Sequence, residues 1–392
     1  MVILMLLEND FPGDVRVDKE VQSLYEAGHK VVVASSTSKD LTYVEKTINC
    51  TIYRKKISPF ILKSSVGALK FPFYFNFWRS FVKMILRKER IDAIHIHDLP
   101  LAKIGLEVKR SKGVKFIIDL HENYPALLEV SQHTNTLIGK LLSSKNQWRR
   151  YEEDMTKSAD AVITVVQEMK NRISNIGVDI NKIFVVENTP VNSEERIEKV
   201  IDENFFTITY IGGITEARGL QYIIKGLPIL KQNNKNVRLR VAGDGKYLAF
   251  LKKLTEDLRV NDIVHFFGKV ERSEAIKILS KTDIAVIPHV RSEQSDNSSP
   301  NKLFEYMSAG IPLIASDCKS IVRIVNEIEI GITYTYNSPE DFAQKVSYLI
   351  DNRDKLLIYS KNGIEAIKSK YNWKSSAKNL LGLYEYVENK ID

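Results

Sequence analysis

The stretch Ser298–Pro312, SSPNKLFEYMSAGIP, combines a helix start with two opposite charges. A serine followed by proline is typical of a helix N-terminus and Gly310 of a helix end, so we predict a helix that begins near Pro300. The free N–H groups of that end attract an anion, and Lys302 and Glu305 share one helix face. The pattern indicates an anion site flanked by a cation and a carboxylate. The alternative is a solvated ion pair between these two side chains.

A glycine-rich turn forms a second candidate anion site. The segment Gly212–Gly219, GGITEARG, follows a predicted strand over 206–211 and precedes a predicted helix. The paired glycines Gly212 and Gly213 let a ligand approach the backbone, and Arg218 can bind phosphate oxygens. The spacing matches neither the dinucleotide-binding fingerprint nor the P-loop, so an ordinary tight turn with a solvated arginine stays open as the alternative.

Two predicted strands of the first half end in titratable residues. His95 and His97, in the sequence IHIHD, point to the same strand face, which raises the hypothesis of a metal site. No HxHxDH continuation follows, and the remaining histidines lack ligand-like spacing. We therefore predict no metal, and interpret the pair as structural or as lining a cleft. His121, in the sequence DLHEN after the next strand, is expected near the reaction centre.

The spacing of the aspartates bears on how a diphosphate is bound. No two aspartates in the sequence are separated by a single residue. The DxD motif, which holds a divalent cation on a nucleotide diphosphate, is therefore absent. If a diphosphate binds, protein cations and helix N-termini must neutralise it without a metal cofactor.

A basic and aromatic segment extends from Arg54 to Arg90. It contains ten Lys or Arg and one acidic residue, Glu89, with aromatic residues between them. This combination is typical of proteins on an anionic lipid surface, and single-stranded nucleic acid is bound by the same chemistry. The aromatics between Phe71 and Phe81 are too closely spaced to face one core, so we expect attachment to an anionic membrane. The alternative is a helix with aromatics facing the core and cations facing water.

Composition excludes several classes of protein. Hydrophobic residues make up 44% and charged residues 27% of the 392-residue chain, as in globular proteins. Cys50 and Cys318 each lack a CxxC partner, so neither a disulfide framework nor a cysteine zinc site is expected. The apolar start Met1–Leu7 meets Glu8 far short of the roughly 20 residues of a membrane span, which indicates a buried first strand. The formal charge is +8, and residues 1–190 carry 28 Lys or Arg against 22 Asp or Glu.

The elements that must position these residues alternate along almost the whole chain. Strands are predicted at 2–7, 30–34, 92–96, 114–119, 161–165, 183–186, 206–211, 237–242, 263–267, 283–287, 312–315 and 331–334. Helices are predicted between them, including 15–27, 65–88 and 137–158. The alternation predicts two doubly wound domains with parallel sheets, at 1–190 and 205–370, and a C-terminal helix at 371–392 that packs back on the first. Ligands bind beyond the carboxyl ends of such strands, where the motifs lie.

Taken together, these stretches resemble the family-4 retaining glycosyltransferases, which have the GT-B fold. The resemblance rests on six stretches in matching order and spacing: FPGDVRV at 11–17, His97-Asp98, His121-Glu122, GGITEARG at 212–219, VAGDG at 241–245 and PNKLFEY at 300–306. It covers nearly the whole chain. It implies two facing Rossmann-like α/β domains with a cleft between them.

The resemblance also implies roles for individual residues. Arg218 and Lys302 are expected to contact the donor diphosphate, and Glu305 the ribose hydroxyls. His121 is expected to hold the transferred sugar without acting as a nucleophile. The implied donor-binding residues are Gly212, Gly213, Gly243, Asn297 and Glu305, and the loop on the acceptor side contains Gly13, Asp14 and Arg16.

Two positions depart from the family's pattern. The arginine usually found after the first glycine of the loop is Gly213 here, which leaves one fewer charge on the diphosphate. The first glutamate of the usual E-x7-E pair is Asn297, whose amide can still accept and donate hydrogen bonds. Of the two glutamates of the E-x7-E pair, this sequence contains the second, Glu305.

The implied function is transfer of a sugar from a nucleotide-diphosphate sugar to a hydroxyl acceptor with retention, in cell-surface polysaccharide or glycolipid assembly. We expect a UDP-type donor, a glycan or lipid-linked acceptor and no nucleic-acid partner. The expected location is cytoplasmic, peripheral on the inner face of the cell membrane. Two alternatives stay open: a nucleotide-sugar epimerase of the same fold, and a non-enzymatic nucleic-acid-binding module, whose affinity would depend steeply on salt.

Overall fold

The computed structural model describes residues 1–130, 142–191, 197, 199–200 and 202–389. The chain divides into two compact units, the first of Met1–Asn188 with Trp373–Asp392 and the second of Thr189–Asn372. Each unit contains a largely parallel sheet and the helices that connect its strands. The predicted fold class of two Rossmann-like α/β domains is confirmed.

The first unit contains an eight-stranded sheet. Its strands are β1 (Val2–Leu7), β2 (Lys30–Thr37), β3 (Val44–Lys46), β4 (Cys50–Lys56), β5 (Ala93–His97), β6 (Lys115–Leu120), β7 (Ala161–Thr164) and β8 (Ile183–Val185). They lie in the order β3-β4-β2-β1-β5-β6-β7-β8, and only β3, on the edge, is antiparallel to its neighbour. The six predicted strands are present. Strands β3 and β4 are not among the predicted strands, because charged side chains interrupt their apolar pattern.

The helices of the first unit cross between its strands. Those before the second unit are α1 (Val15–Glu26), α2 (Pro59–Lys63), α3 (Phe73–Ile85), α4 (Ala102–Lys112), α5 (Tyr124–Val130), α6 (Lys145–Ser158) and α7 (Gln167–Asn175). The prediction of one helix over 65–88 is wrong, since a 3₁₀ turn over Ser64–Gly67 precedes α3. Pro72 separates them because proline disfavours helical backbone in the residue before it. Of the predicted helix 137–158, residues 137–141 lie outside the described residues.

The second unit contains a six-stranded, fully parallel sheet. Its strands are β9 (Phe206–Ile211), β10 (Val237–Ala242), β11 (Val264–Gly268), β12 (Ile284–Ile287), β13 (Leu313–Ser316) and β14 (Gly331–Tyr334), in the order β11-β10-β9-β12-β13-β14. Its helices are α8 (Leu220–Gln232), α9 (Leu248–Asp257), α10 (Arg272–Ser280), α11 (Glu293–Asp296), α12 (Asn301–Ser308), α13 (Lys319–Ile328), α14 (Pro339–Asp351) and α15 (Asp354–Ser369). All six strands predicted for this half are present.

The last helix, α16 (Trp373–Asn389), belongs to the first unit. Leu380, Leu383 and Val387 are fully buried in the core that contains β1 and β2. Burial of such side chains stabilises the packing by about 1.5–3 kcal/mol each. The Trp373 indole also donates a hydrogen bond to the Ser23 hydroxyl of α1 at 2.9 Å.

Most aromatic side chains of α3 face the core of the first unit. Tyr74, Phe75, Trp78 and Phe81 are almost completely buried. The prediction that these aromatics cannot face one core is therefore wrong, because spacings of three or four residues place Tyr74, Phe75 and Phe81 on the same helix face as Trp78. No helix among the described residues is both long and apolar enough to span a membrane.

Candidate active site

The donor-side candidates of the second unit lie where its central strands end. Gly212 follows β9 and Gly243 follows β10, and the two strands are neighbours. A Cβ on Gly243 would lie 1.8 Å from the carbonyl oxygen of Gly212, so the two turns are in direct backbone contact. Only glycine permits this approach at its φ of +151°. Gly213, the neighbour of Gly212, is exposed.

Arg218 is held on a turn between β9 and α8. A 3₁₀ turn over Glu216–Arg218 ends at Gly219, which has a φ of +71°. A Cβ on Gly219 would lie 1.8 Å from the carbonyl oxygen of Pro288, and the N–H of Val290 donates to the carbonyl oxygen of Ala217 at 2.9 Å. The turn after β9 therefore packs directly on the loop after β12.

The helix predicted near Pro300 is present as α12, with Pro300 as its N-cap. The Tyr306 hydroxyl accepts a hydrogen bond from the N–H of Ile211 at 3.0 Å, which attaches α12 to the end of β9. Lys302 Nζ lies 2.6 Å from Glu305 Oε2, and the two side chains are 36% and 52% exposed. The solvated ion pair considered as an alternative is thus present. Such pairs contribute only about 0.2–0.5 kcal/mol, so a bound nucleotide can displace it.

Asn297, at the first position of the E-x7-E pattern, is buried at the end of α11. Its Nδ2 donates to the carbonyl oxygen of Glu293 at 2.7 Å. The amide nitrogen therefore caps its own helix, and the other amide atom, Oδ1, is an acceptor.

In the first unit, His121 lies in a partly buried group of charges where β5 and β6 end. Its Nε2 is 3.0 Å from Asp119 Oδ2, and its Nδ1 is 3.7 Å from Asp98 Oδ1. Although burial alone would lower the pKa of His121, Asp98 and Asp119 raise that pKa to about 9. His121 therefore carries a proton on both ring nitrogens at neutral pH, and Nδ1–H can serve a ligand as a donor.

Arg16 is the counter-charge of Asp119. Its Nη2 lies 2.8 Å from Asp119 Oδ1, its Nε donates to Oδ2 at 3.1 Å and its Nη1 donates to the carbonyl oxygen of Val186 at 3.0 Å. Burial opposes ionisation of Asp119, but Arg16 and His121 hold the pKa of that carboxyl well below its usual range. The bidentate geometry and burial make this pair a fixed support for His121.

The placement of Arg16 corrects the prediction that Gly13, Asp14 and Arg16 form one loop. Gly13 and Asp14 precede α1, and Asp14 is its N-cap, accepting hydrogen bonds from the N–H groups of Arg16 and Val17. Arg16 itself is the second residue of α1 and is only 5% exposed. The Arg16 guanidinium is buried against Asp119, whereas Gly13 and Asp14 are exposed or half-buried, and a role of this segment on the acceptor side stays a prediction.

Among the described residues, one group of side chains could hold a metal ion: Glu20, His95, His97 and Asp119, whose ligand atoms lie within 4.8 Å of one another. The Arg16 guanidinium already binds both carboxylates, with Nε 3.1 Å from Glu20 Oε1. A divalent cation bound in this buried space would be repelled by the positive charges of Arg16 and of protonated His121. The residues therefore fit a metal poorly, and metal-independent chemistry stays a prediction.

Three residues of these two sites have contacts or charges to which sequence reasoning assigns no role. Asp98 has a φ of +67°, uncommon for a residue with a side chain, and its N–H donates to the carbonyl oxygen of Asp119 at 2.9 Å. Burial raises the pKa of Glu8, after β1, to about 7. His289 contacts Arg218. Position after a strand is the shared signal, since Glu8, Asp98 and His289 all follow strand ends.

Comparisons with known proteins agree with the two-unit division. Residues 15–189 match the family model "Glycosyltransferase Family 4", and residues 191–366 match "Glycosyl transferases group 1". An uncharacterized glycosyltransferase of Methanocaldococcus jannaschii, MJ1069, is 28% identical over 240 residues, which cover 59% of this chain and 60% of that protein. The match thus spans less than two thirds of that relative.

Solved structures show the same fold along the whole chain. Sucrose-phosphate synthase from Thermosynechococcus elongatus aligns with a TM-score of 0.78 at 14% identity, covering 99% of both chains. Anabaena Alr3699/HepE in complex with UDP aligns with a TM-score of 0.71 at 14% identity, covering 98% of this chain and 100% of that one.

Proposed function

We propose that this chain is a glycosyltransferase of group 1 that transfers a sugar from a nucleotide-diphosphate sugar to a hydroxyl acceptor with retention of the anomeric configuration. The observation that carries the proposal is the charge arrangement of the second unit. Arg218, Lys302 and the N-terminus of α12 all follow the carboxyl ends of the central strands, the edge at which open parallel sheets bind ligands. These groups suit a diphosphate leaving group.

In the proposed mechanism the diphosphate leaves before the acceptor attacks on the same face. Negative charge then grows on the leaving oxygens, and Arg218, Lys302 and the α12 N-terminus stabilise it because they are preorganised. The sequence contains no DxD motif, so protein charges replace a metal ion in this step. His121, protonated and held by Asp119, donates to a hydroxyl of the transferred sugar.

The donor is proposed to be a uridine diphosphate sugar. Support comes from a protein of the same fold, Anabaena Alr3699/HepE, which was solved in complex with UDP. Glu305 is the proposed ribose ligand, since its carboxylate is exposed on the first turns of α12 beside Lys302.

The first test is nucleotide binding by wild-type protein and by Glu305→Ala, measured by calorimetry with UDP, GDP, ADP and dTDP. Hydrogen bonds to charged groups contribute about 1.5–3 kcal/mol, so we expect the variant to bind its nucleotide roughly ten- to hundredfold more weakly. Binding and donor hydrolysis should both survive EDTA. Stoichiometric nucleotide release that depends on added acceptor distinguishes transfer from epimerisation.

Glu274→Ala is the matched control for Glu305→Ala. Glu274 also forms an i,i+3 pair, with Lys277 on α10 of the same unit, at 3.6 Å. This variant should bind nucleotide like the wild type. Unchanged affinity of Glu305→Ala would remove the ribose role, and failure of the wild type to bind any of the four nucleotides would contradict the proposed function.

The acceptor is proposed to be a growing glycan, free or lipid-linked, in cell-surface polysaccharide or glycolipid assembly, with the enzyme on an anionic membrane surface. Three exposed aromatic residues support this: Phe60, Phe71 and Phe73 are 64%, 47% and 47% exposed. The Phe73 ring lies 5.7 Å from that of Phe60 and 6.3 Å from that of Phe71, so the three form one aromatic patch. Exposed Lys63 and Lys70 are close in sequence.

Replacing the aromatic patch, Phe60, Phe71 and Phe73, by serine should weaken cosedimentation with anionic vesicles by roughly tenfold. Since the three side chains are already exposed, the variant should fold. Wild-type binding should require phosphatidylglycerol and decrease as salt increases, because salt screens the lysine charges. The matched control is Phe250→Ser with Phe267→Ser, two exposed phenylalanines of the second unit. Equal binding by the patch variant and the control would contradict a membrane role for the patch.

A further inference from the structure

His289 is the side chain in direct contact with Arg218. Arg218 Nη1 donates to His289 Nε2. The loop that carries His289 is fixed on the Arg218 turn by the Val290–Ala217 hydrogen bond and by the contact of Gly219 with Pro288. Both partners of the side-chain contact therefore have a rigid backbone.

The charge state of His289 suits an acceptor. Burial, and to a smaller extent the charge of Arg218, lowers the pKa of His289 to about 3. The imidazole is neutral over the whole physiological range, and Nε2, which accepts from Arg218, carries no proton. The remaining proton lies on Nδ1, a buried atom with no hydrogen-bond partner among the described residues.

A neutral partner has a consequence that a carboxylate would not have. An Asp or Glu at this place would neutralise the guanidinium before any ligand arrives, whereas an imidazole fixes its direction and leaves its full charge. The full charge of Arg218 is more important in this chain, because Gly213 replaces an arginine of the loop and one fewer cation can bind the diphosphate.

We propose that His289 is a positioning residue for the transfer reaction: it orients the Arg218 guanidinium toward the diphosphate while leaving its charge uncompensated. The inference rests on the proposed function, since it assigns Arg218 to the donor diphosphate. It makes His289 part of the donor site through Arg218, without contact to the reacting atoms.

The test compares His289→Phe, which removes the acceptor, with His289→Gln, whose amide oxygen reaches the position of Nε2. Donor hydrolysis, or transfer where an acceptor is at hand, is measured in the wild-type and Arg218→Ala backgrounds. Misplacement of a binding group by about 1 Å can cost up to roughly a hundredfold in rate. We expect His289→Phe to lower kcat by about ten- to hundredfold with a smaller change in KM, and His289→Gln to restore most of it.

The double-mutant cycle separates positioning from a merely structural role. If His289 acts through Arg218, His289→Phe should cause no further loss of kcat in the Arg218→Ala background. Exposed His265→Phe, on β11 of the same unit, is the control and should behave like the wild type. Calorimetry of nucleotide binding and the thermal midpoint of each variant accompany the kinetics.

The outcomes distinguish failure of the positioning role of His289 from failure of the proposed function. Additive losses in the cycle, or equal losses in the Phe and Gln variants, would overturn the positioning role while nucleotide binding by the wild type keeps the proposed function intact. Absence of nucleotide binding by the wild type would overturn the proposed function itself. If folded His289→Phe keeps the wild-type rate, the positioning role of His289 is wrong and the proposed function is unaffected.

Discussion

Arg218→Ala should lower kcat by about 10²–10³-fold, because removing one preorganised donor from developing charge has an effect of that size. The nucleotide diphosphate product carries its charge permanently, so its affinity should decrease less than kcat does. Single-turnover measurements of donor hydrolysis, together with calorimetry of the product nucleotide, would compare the two quantities directly.

Two further variants make the Arg218 result specific. Arg218→Lys keeps a positive charge at this position and should retain most of the rate. Lys225→Ala removes an exposed cation of α8, the helix that follows the turn, and should have no effect. An equal loss of substrate and product binding with unchanged kcat would show that Arg218 contacts the ground state alone.

Asp119→Asn should lower the free energy of unfolding of the first unit by about 3–5 kcal/mol, as expected when one member of a buried ion pair is removed. The Asp119 carboxylate lies 2.8 Å from Arg16 and 3.0 Å from His121. In the Asn variant both cations lose this counter-charge. Denaturant unfolding followed by circular dichroism measures the change. The control is Asp262→Asn, whose pair with Lys231 is more than half exposed on both sides, and which should cost less than about 1 kcal/mol.

The same network predicts a pH dependence. Since the folded-state pKa of His121 is raised to about 9, its contribution to stability is complete below its unfolded value of 6.5 and is lost as the pH increases through 9. The wild type should therefore lose stability over that interval, and Asp119→Asn should lose less, because one of the two carboxylates that raise the pKa of its histidine is gone. A flat stability profile between pH 6.5 and 9 in the wild type, or an Asp119→Asn variant as stable as Asp262→Asn, would contradict this account.

The sequence predicts the second unit almost completely. Its six strands are apolar runs in a parallel sheet, and the glycines and Pro300 mark the turns and the helix start at which Arg218, Lys302 and Glu305 lie. These are local signals: hydrophobic periodicity, backbone restriction at proline and the freedom of glycine. His289 could not be assigned in this way, because its partner Arg218 lies on another loop, 71 residues away.

The aromatic segment shows how far composition can be misleading. Ten cations among closely spaced aromatics favour a surface, yet Tyr74, Phe75, Trp78 and Phe81 are buried and only Phe60, Phe71 and Phe73 form an exposed patch. The break at Pro72 sets the phase of α3, and that phase decides which rings face the core. The exposed aromatic residues of the segment are therefore fewer than its composition suggests, and these are the ones proposed to contact a membrane.

By itself the sequence determined the two-domain α/β architecture, the order of the strands along the chain and the residue types available at the strand ends. The tertiary structure alone decided which of those residues meet. Arg16 and Asp119 are 103 residues apart and His95 and Tyr384 are 289 apart, yet each pair is joined by a hydrogen bond in the first unit. The physical reason is that strand and helix formation depend on neighbouring residues, whereas a buried charge is tolerated only where the complete fold supplies its partner.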